Sequence, residues 1–64
     1  RARLRSSPYQ YLLSRRVERA KTMLRDPSVP IAAIAVACGF TSQSHLNAVF
    51  KRLTNVTPGR YRKG

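Results

Sequence analysis

The stretch PIAAIAVACGFTSQSHLNAVFKRL, residues 30–53, decides how the chain folds. An apolar run ends at a single glycine, four small hydroxyl or amide side chains follow from Thr41 to Ser44, and an apolar-basic segment closes the stretch. Pro30 suits the first turn of a helix reaching about Cys38, with Ile31, Ile34, Ala35 and Cys38 facing inward. Gly39 stands where a helix commonly stops with positive φ, and Phe40 follows as a buried anchor for the turn. Thr41 or Ser42 caps the next helix, over about 42–54, in which Leu46, Val49, Phe50 and Leu53 fall at i, i+3, i+4 and i+7. Two helices cross closely only if a small residue faces the crossing and a glycine makes the turn. Ala35 and Gly39 supply both, as a helix-turn-helix requires. A generic three-helix bundle also wants small residues at its crossings, so spacing alone leaves both architectures open.

Upstream, SPYQYLLSRRVERAKTMLR predicts a helix over 7–25, capped by Ser7 with Pro8 in its first turn. Tyr9, Leu13, Val17, Ala20 and Leu24 form one apolar face, from which Tyr11 and Leu12 are left out. Asp26-Pro27-Ser28 ends this helix. Downstream, Thr57-Pro58 repeats the cap-plus-proline start for a last short helix whose core contact is Tyr61. A shift of fifty residues superimposes Ser7-Pro8-x-x-Tyr11 on Thr57-Pro58-x-x-Tyr61. This echo makes residues 1–6 the tail of an earlier lobe, Arg1 to Arg5 matching Lys51 to Asn55, with the upstream copy missing from the chain. The fold class is all-α, a three-to-four-helix lobe.

The 64 residues carry 13 Lys and Arg against only Glu18 and Asp26, a formal net charge of +11. Such a balance calls for a polyanionic partner, either nucleic acid, through counterion release from phosphates, or an anionic membrane surface. Cys38 and His45 are each the only residue of their type. They form neither a disulfide nor a zinc set, so no metal or cofactor is expected, and a lone thiol fits a reducing intracellular setting. Two distant carboxylates, one His and one Cys make no catalytic set. No apolar run reaches the ~18 residues of a membrane span.

With its apolar positions facing the core, the second helix of the pair turns Ser44, Ala48 and Lys51 outward, flanked by Asn47 and Arg52, with Gln43 in the first turn. An α-helix fits the major groove of B-DNA and touches bases mainly with its N-terminal residues. Gln43 and Asn47 suit an adenine edge, Ser44 a base or phosphate, and Ala48 a thymine methyl. These four are the candidate base contacts; Thr41, Ser42, His45, Lys51, Arg52 and Arg60 are the candidate phosphate contacts. The plainer reading of each polar residue is a solvated face or a cap. A cationic membrane-active peptide is the competing function, but Pro27, Pro30, Gly39 and Pro58 cut the chain into short helices rather than one continuous amphipathic one. An RNA-binding basic peptide is a third, disfavoured because the aromatics fall mostly on inward faces.

Together SPYQYL with Arg16, Ala20 and Leu24, then PIAAIAVACGF, TSQSHLNAVFKR and TPGRYR, resemble the C-terminal DNA-binding domain of the AraC/XylS family of bacterial transcriptional regulators, over nearly the whole chain. The resemblance implies two homeodomain-like helix-turn-helix lobes joined by a long helix. Residues 7–64 would then be that linker helix plus the second lobe. It implies double-stranded DNA as partner, RNA polymerase as a further partner of an activator, a cytoplasmic location, and an N-terminal lobe and effector domain elsewhere in the full protein. Family members place base contacts on the exposed early turns of this helix, here Gln43, Ser44, Asn47 and Ala48. Asn55 stands where the family usually has glycine, Arg5 occupies the equivalent place upstream, and Leu46 replaces an aromatic; Asn tolerates positive φ and Leu keeps the position apolar.

Overall fold

A computed structural model of the chain describes residues 7–64. The expectations placed on Arg1 to Ser6 lie outside the described residues. Among the described residues four helices follow one another: α1 (Pro8–Leu24), α2 (Ile31–Ala37), α3 (Gln43–Thr54) and α4 (Pro58–Lys63).

The boundaries are set by short-range hydrogen bonds. Ser7 is extended and its Oγ accepts the Gln10 N–H at 3.1 Å, while Pro8 occupies the first turn, where no N–H is needed. Thr57 does the same for α4, its Oγ1 accepting the Arg60 N–H at 3.2 Å ahead of Pro58. Pro30 lies one residue outside α2, as its N-cap with ψ 144°, and not in the first turn as expected. The reason is that the extended Pro30 still lends its carbonyl to the N–H groups of Ala33 and Ile34.

The turn after α2 is closed twice. Gly39, at φ 87°, donates its N–H to Val36 O at 3.1 Å, and Phe40 donates to Ala35 O at 2.9 Å. These are the paired bonds of a Schellman ending, which needs a left-handed residue at the Gly39 position. Asn55 supplies the corresponding conformation after α3, at φ 70°, with its N–H on Lys51 O at 2.7 Å. Thr54 assists, donating its hydroxyl to Phe50 O and accepting the Val56 N–H.

One core gathers Leu13, Val17, Ala20 and Leu24 from α1, Ile34 and Ala35 from α2, Cys38 and Phe40 from the turn, and Leu46, Val49 and Phe50 from α3. Tyr61 joins from α4, its ring edge-on to Phe50 at 5.5 Å. Ala20 and Ala35 are fully buried, so both helices present a bare methyl to the interior. Each large apolar side chain buried in this way contributes about 1.5–3 kcal/mol of transfer free energy. No polar side chain is buried among the described residues.

Three apolar positions depart from their expected places. Tyr9 is 58 % exposed, because it is the second residue of α1 and that end of the helix has only the flank of α3 beside it. Leu53 is 46 % exposed in the last turn of α3, which runs past the core and lines an open groove with Tyr11 and Leu13. Ile31 is half-buried; it packs against the core with its Cδ1 beside Gly59.

Candidate nucleic-acid interface

The first turn of α3 is built from Phe40 to His45. Ser42 is the cap, its Oγ accepting the His45 N–H at 3.0 Å. Nδ1 of His45 in turn accepts the Thr41 N–H at 3.3 Å and lies 3.2 Å from Thr41 Oγ1. Its ring stands edge-on to Phe40 at 5.3 Å. With Nδ1 accepting, the neutral imidazole carries its proton on Nε2. His45 therefore fastens the turn to the helix that follows, and Thr41 and Ser42 each commit a hydroxyl to the same corner.

Beyond that corner α3 presents an open face. Gln43, Ser44, Ala48, Lys51 and Arg52 are exposed and Asn47 is half-buried. The side-chain hydrogen bonds on α3 belong to His45 and Thr54, so the polar groups of Gln43, Ser44, Asn47, Lys51 and Arg52 are uncommitted among the described residues. Thus the structure brings together on α3 all four candidate base contacts and, of the phosphate candidates, His45, Lys51 and Arg52. Thr41 and Ser42 sit at its N-terminal edge. Arg60 stands on α4, exposed, and belongs to a different element.

Charge is distributed one-sidedly around this face. Glu18 pairs with Lys21 on α1 at 3.0 Å. Asp26 is occupied in the α1–α2 loop, where its Oδ1 accepts the Ser28 hydroxyl and N–H at 2.6 and 3.0 Å. Those two bonds, with Arg62 nearby, hold the Asp26 carboxyl below the usual carboxylate range. Neither carboxylate is on α3, so nothing acidic on that helix repels a polyanion.

Two arginines have roles that the pattern of residues did not disclose. Arg62 ties α4 to the α1–α2 loop through three backbone carbonyls, those of Leu24, Asp26 and Val29. Arg16 lays its guanidinium over Gly39, whose missing Cβ would meet Arg16 Nε at 3.0 Å. Arg16 is thus packed against the turn that joins α2 to α3. Arg62 pairs a cation with groups more than thirty positions away, and no local signal could have found it. Cys38 fills the core, its thiol 3.8 Å from Met23 Sδ, and burial pushes that thiol up.

No group of three or more His, Cys, Asp or Glu that could hold a metal ion occurs among the described residues. No helix there is long and apolar enough to cross a membrane. The helices share one core rather than forming the continuous amphipathic helix of a membrane-active peptide.

Comparison with known proteins agrees with this architecture. The family model described as a helix-turn-helix domain matches residues 1–64. A Streptomyces antibioticus protein described as an AraC-like transcription regulator is 41 % identical over 63 residues, 98 % of this chain and 21 % of its own length. The HTH-type transcriptional activator RhaR of Mannheimia succiniciproducens is 40 % identical over 53 residues, 83 % of this chain and 19 % of its own. The chain thus spans about a fifth of the length of these relatives. No solved structure matches. With a helix pair closed by Gly39, a family model running from end to end and relatives described as transcription regulators, the chain belongs to the helix-turn-helix domain family of AraC-like transcription regulators.

Proposed function

We propose that α3 is a recognition helix that enters the major groove of double-stranded DNA, within a transcription regulator longer than this chain. The observation that carries the reading is the outward face of α3. Its polar side chains are uncommitted, its first turn is locked by Ser42 and His45, and it grades from short amide and hydroxyl groups at the N-terminal end to Lys51 and Arg52 at the other. A groove filled by such a helix places Gln43, Ser44, Asn47 and Ala48 against base edges and brings the basic residues to the phosphate walls. Thr41, Ser42 and Arg60 extend the phosphate contacts from the edges of the lobe.

The greater length of the relatives supports a first lobe and an effector domain beyond this chain. The description of RhaR as an activator supports contact with RNA polymerase. A bacterial DNA partner sets the location as the cytoplasm. The test is a titration of the 64-residue chain into a short mixed-sequence duplex over a salt series, with amide chemical shifts followed by NMR. Weak binding that falls steeply with salt, and perturbations centred on residues 41–52, are expected. Salt-insensitive binding, or perturbations confined to the outer face of α2 around Val36, would remove α3 from the interface.

A further inference from the structure

We propose that Tyr9 forms, with His45 and Arg52, a clasp for a DNA backbone phosphate on the flank of α3, so that the contact surface extends from the recognition helix onto α1; this rests on the recognition-helix reading above. A groove of about 350 Å³ lies between the first turn of α1 and α3, lined by Tyr9, Leu13, His45, Ala48, Val49 and Arg52. Its floor is the buried Leu13 and Val49, and its rim is Tyr9, His45, Ala48 and Arg52.

The chemistry of that rim is one-sided. Tyr9 offers a phenol O–H and Arg52 a guanidinium. The Thr41 bond to Nδ1 leaves the His45 proton on Nε2, which makes this side chain a donor as well. No carboxylate lines the groove. Three donors with no carboxylate among them suit a phosphate, which presents only acceptor oxygens.

The two exposed tyrosines of α1 make a useful contrast. Tyr11, 59 % exposed, already has its hydroxyl engaged by Arg15 Nη1 at 3.0 Å, with the same guanidinium over its ring. Tyr9, 58 % exposed, makes no side-chain hydrogen bond among the described residues. Its place on the apolar stripe would bury it in a longer bundle, whereas here the ring stands at the edge of the groove.

Ala48 connects this groove to the DNA. It belongs both to the outward face of α3 and to the groove lining, and its methyl leaves the passage between them low. A helix seated in a major groove about 12 Å wide has a phosphate wall along each flank. The His45–Ala48–Arg52 flank faces one wall, and of the two α1 side chains that line the groove, Tyr9 is the exposed one beside it and Leu13 the buried one.

The test compares Tyr9→Phe, Tyr11→Phe and Arg52→Ala with the parent chain on one mixed-sequence duplex over a salt series, with thermal unfolding of each variant. Tyr9→Phe removes one hydrogen bond from an uncharged phenol to an anionic phosphate, so binding should weaken about 10-fold or more. Because no charge is lost, its salt slope should stay that of the parent, whereas Arg52→Ala should lower the slope by about one. Tyr11→Phe should bind as the parent does. Parent-like affinity of Tyr9→Phe alongside a weakened Arg52→Ala would overturn the clasp and leave the α3 reading standing. An affinity loss in Tyr9→Phe that tracks a lowered unfolding temperature would overturn it as well. A parent chain with no salt-dependent duplex binding would sink both.

Discussion

Arg62 donates through Nη2 to the carbonyl oxygen of Val29 at 2.7 Å, and the same guanidinium reaches Asp26 O through Nη2 and Leu24 O through Nε, both at 3.1 Å. Leu24 O is the last carbonyl of α1, which carries partial negative charge and lacks an intrahelical donor, so a cation placed there satisfies it and complements the helix dipole, while the other two bonds fasten the loop. One member of the basic excess thus holds the fold. For that reason the +11 charge does not translate one for one into phosphate contacts.

Removing that side chain should cost stability and leave the electrostatics of DNA binding nearly intact. Hydrogen bonds from charged donors are worth about 1.5–3 kcal/mol in total for such a site, and a domain of this size loses about 4–8 °C of Tm per kcal/mol. Arg62→Ala should therefore unfold several degrees below the parent by calorimetry, with a salt slope changed by less than that of Lys51→Ala. Arg62→Lys should recover only part of the loss, since an ammonium cannot span three carbonyls as a planar fork does. Full recovery by lysine would show that charge alone matters there.

Gly39 and Arg16 make a second coupled pair. Any side chain at Gly39 meets two penalties, the left-handed φ of 87° and a contact with the Arg16 guanidinium. The contact is with the far end of a flexible side chain, which can swing away, so the backbone penalty decides. Gly39→Ala should cost about 1–2 kcal/mol. Gly39→Val should cost more and unfold the lobe near room temperature, because a β-branched residue at positive φ is a severe conflict. Urea titration of Gly39→Ala with and without Arg16→Ala checks the division. Near-additive losses are expected, and rescue by the second substitution would make the side-chain contact dominant.

The helices were legible because their ends are encoded within a few residues. Ser7-Pro8, Thr57-Pro58, Ser42, Gly39 and Asn55 each settle a boundary through a bond that spans no more than five positions. Ala35 and Gly39 fitted a helix-turn-helix pairing, but a crossing of two helices is a tertiary contact, and their spacing alone left a generic three-helix bundle open as well. Periodicity failed at Tyr9 and Leu53, since it reports which face a residue is on and not whether the helix end reaches beyond its neighbours. The outward face of α3 could be read from that periodicity, whereas the fixing of His45 by Thr41 and Phe40 could not, because a ring on a helix flank has several partners within reach. Arg62 was invisible among thirteen basic residues, as only tertiary contact distinguishes it.

The loop that Arg62 closes should also respond to acid. Asp26 is held below its usual range chiefly by the Ser28 hydroxyl and N–H. A group with a depressed folded pKa contributes stability above its unfolded value, near 4, and that contribution is lost as the pH falls through the folded value. The chain should accordingly lose a small increment of stability below about pH 4. Asp26→Asn should flatten that limb of the profile, since Glu18 is the only other acidic side chain. An unchanged acid limb in the variant would assign it elsewhere.

The remaining prediction separates side chains that read bases from those that hold the backbone. Gln43 is exposed in the first turn of α3 with no internal partner, and a side chain of its length can both donate to and accept from one base. Losing such a bidentate contact costs about 1–3 kcal/mol at the cognate base pair and little elsewhere. Lys51 lies two turns later on the same face, where the helix leaves the groove floor, so its loss should weaken every sequence alike and lower the salt slope by about one. Asn47, half-buried beside them, should show the base-reading behaviour with a smaller loss, because part of its surface is already covered by the fold. A duplex selected from a random library serves as the preferred site, and its scrambled form as the reference. Gln43→Ala should narrow the difference in affinity between the two duplexes, and Lys51→Ala should preserve it. If Lys51→Ala narrows the difference while Gln43→Ala shifts both affinities equally, α3 lies in the groove rotated or reversed from the orientation drawn here, and the base contacts must be reassigned to its C-terminal half.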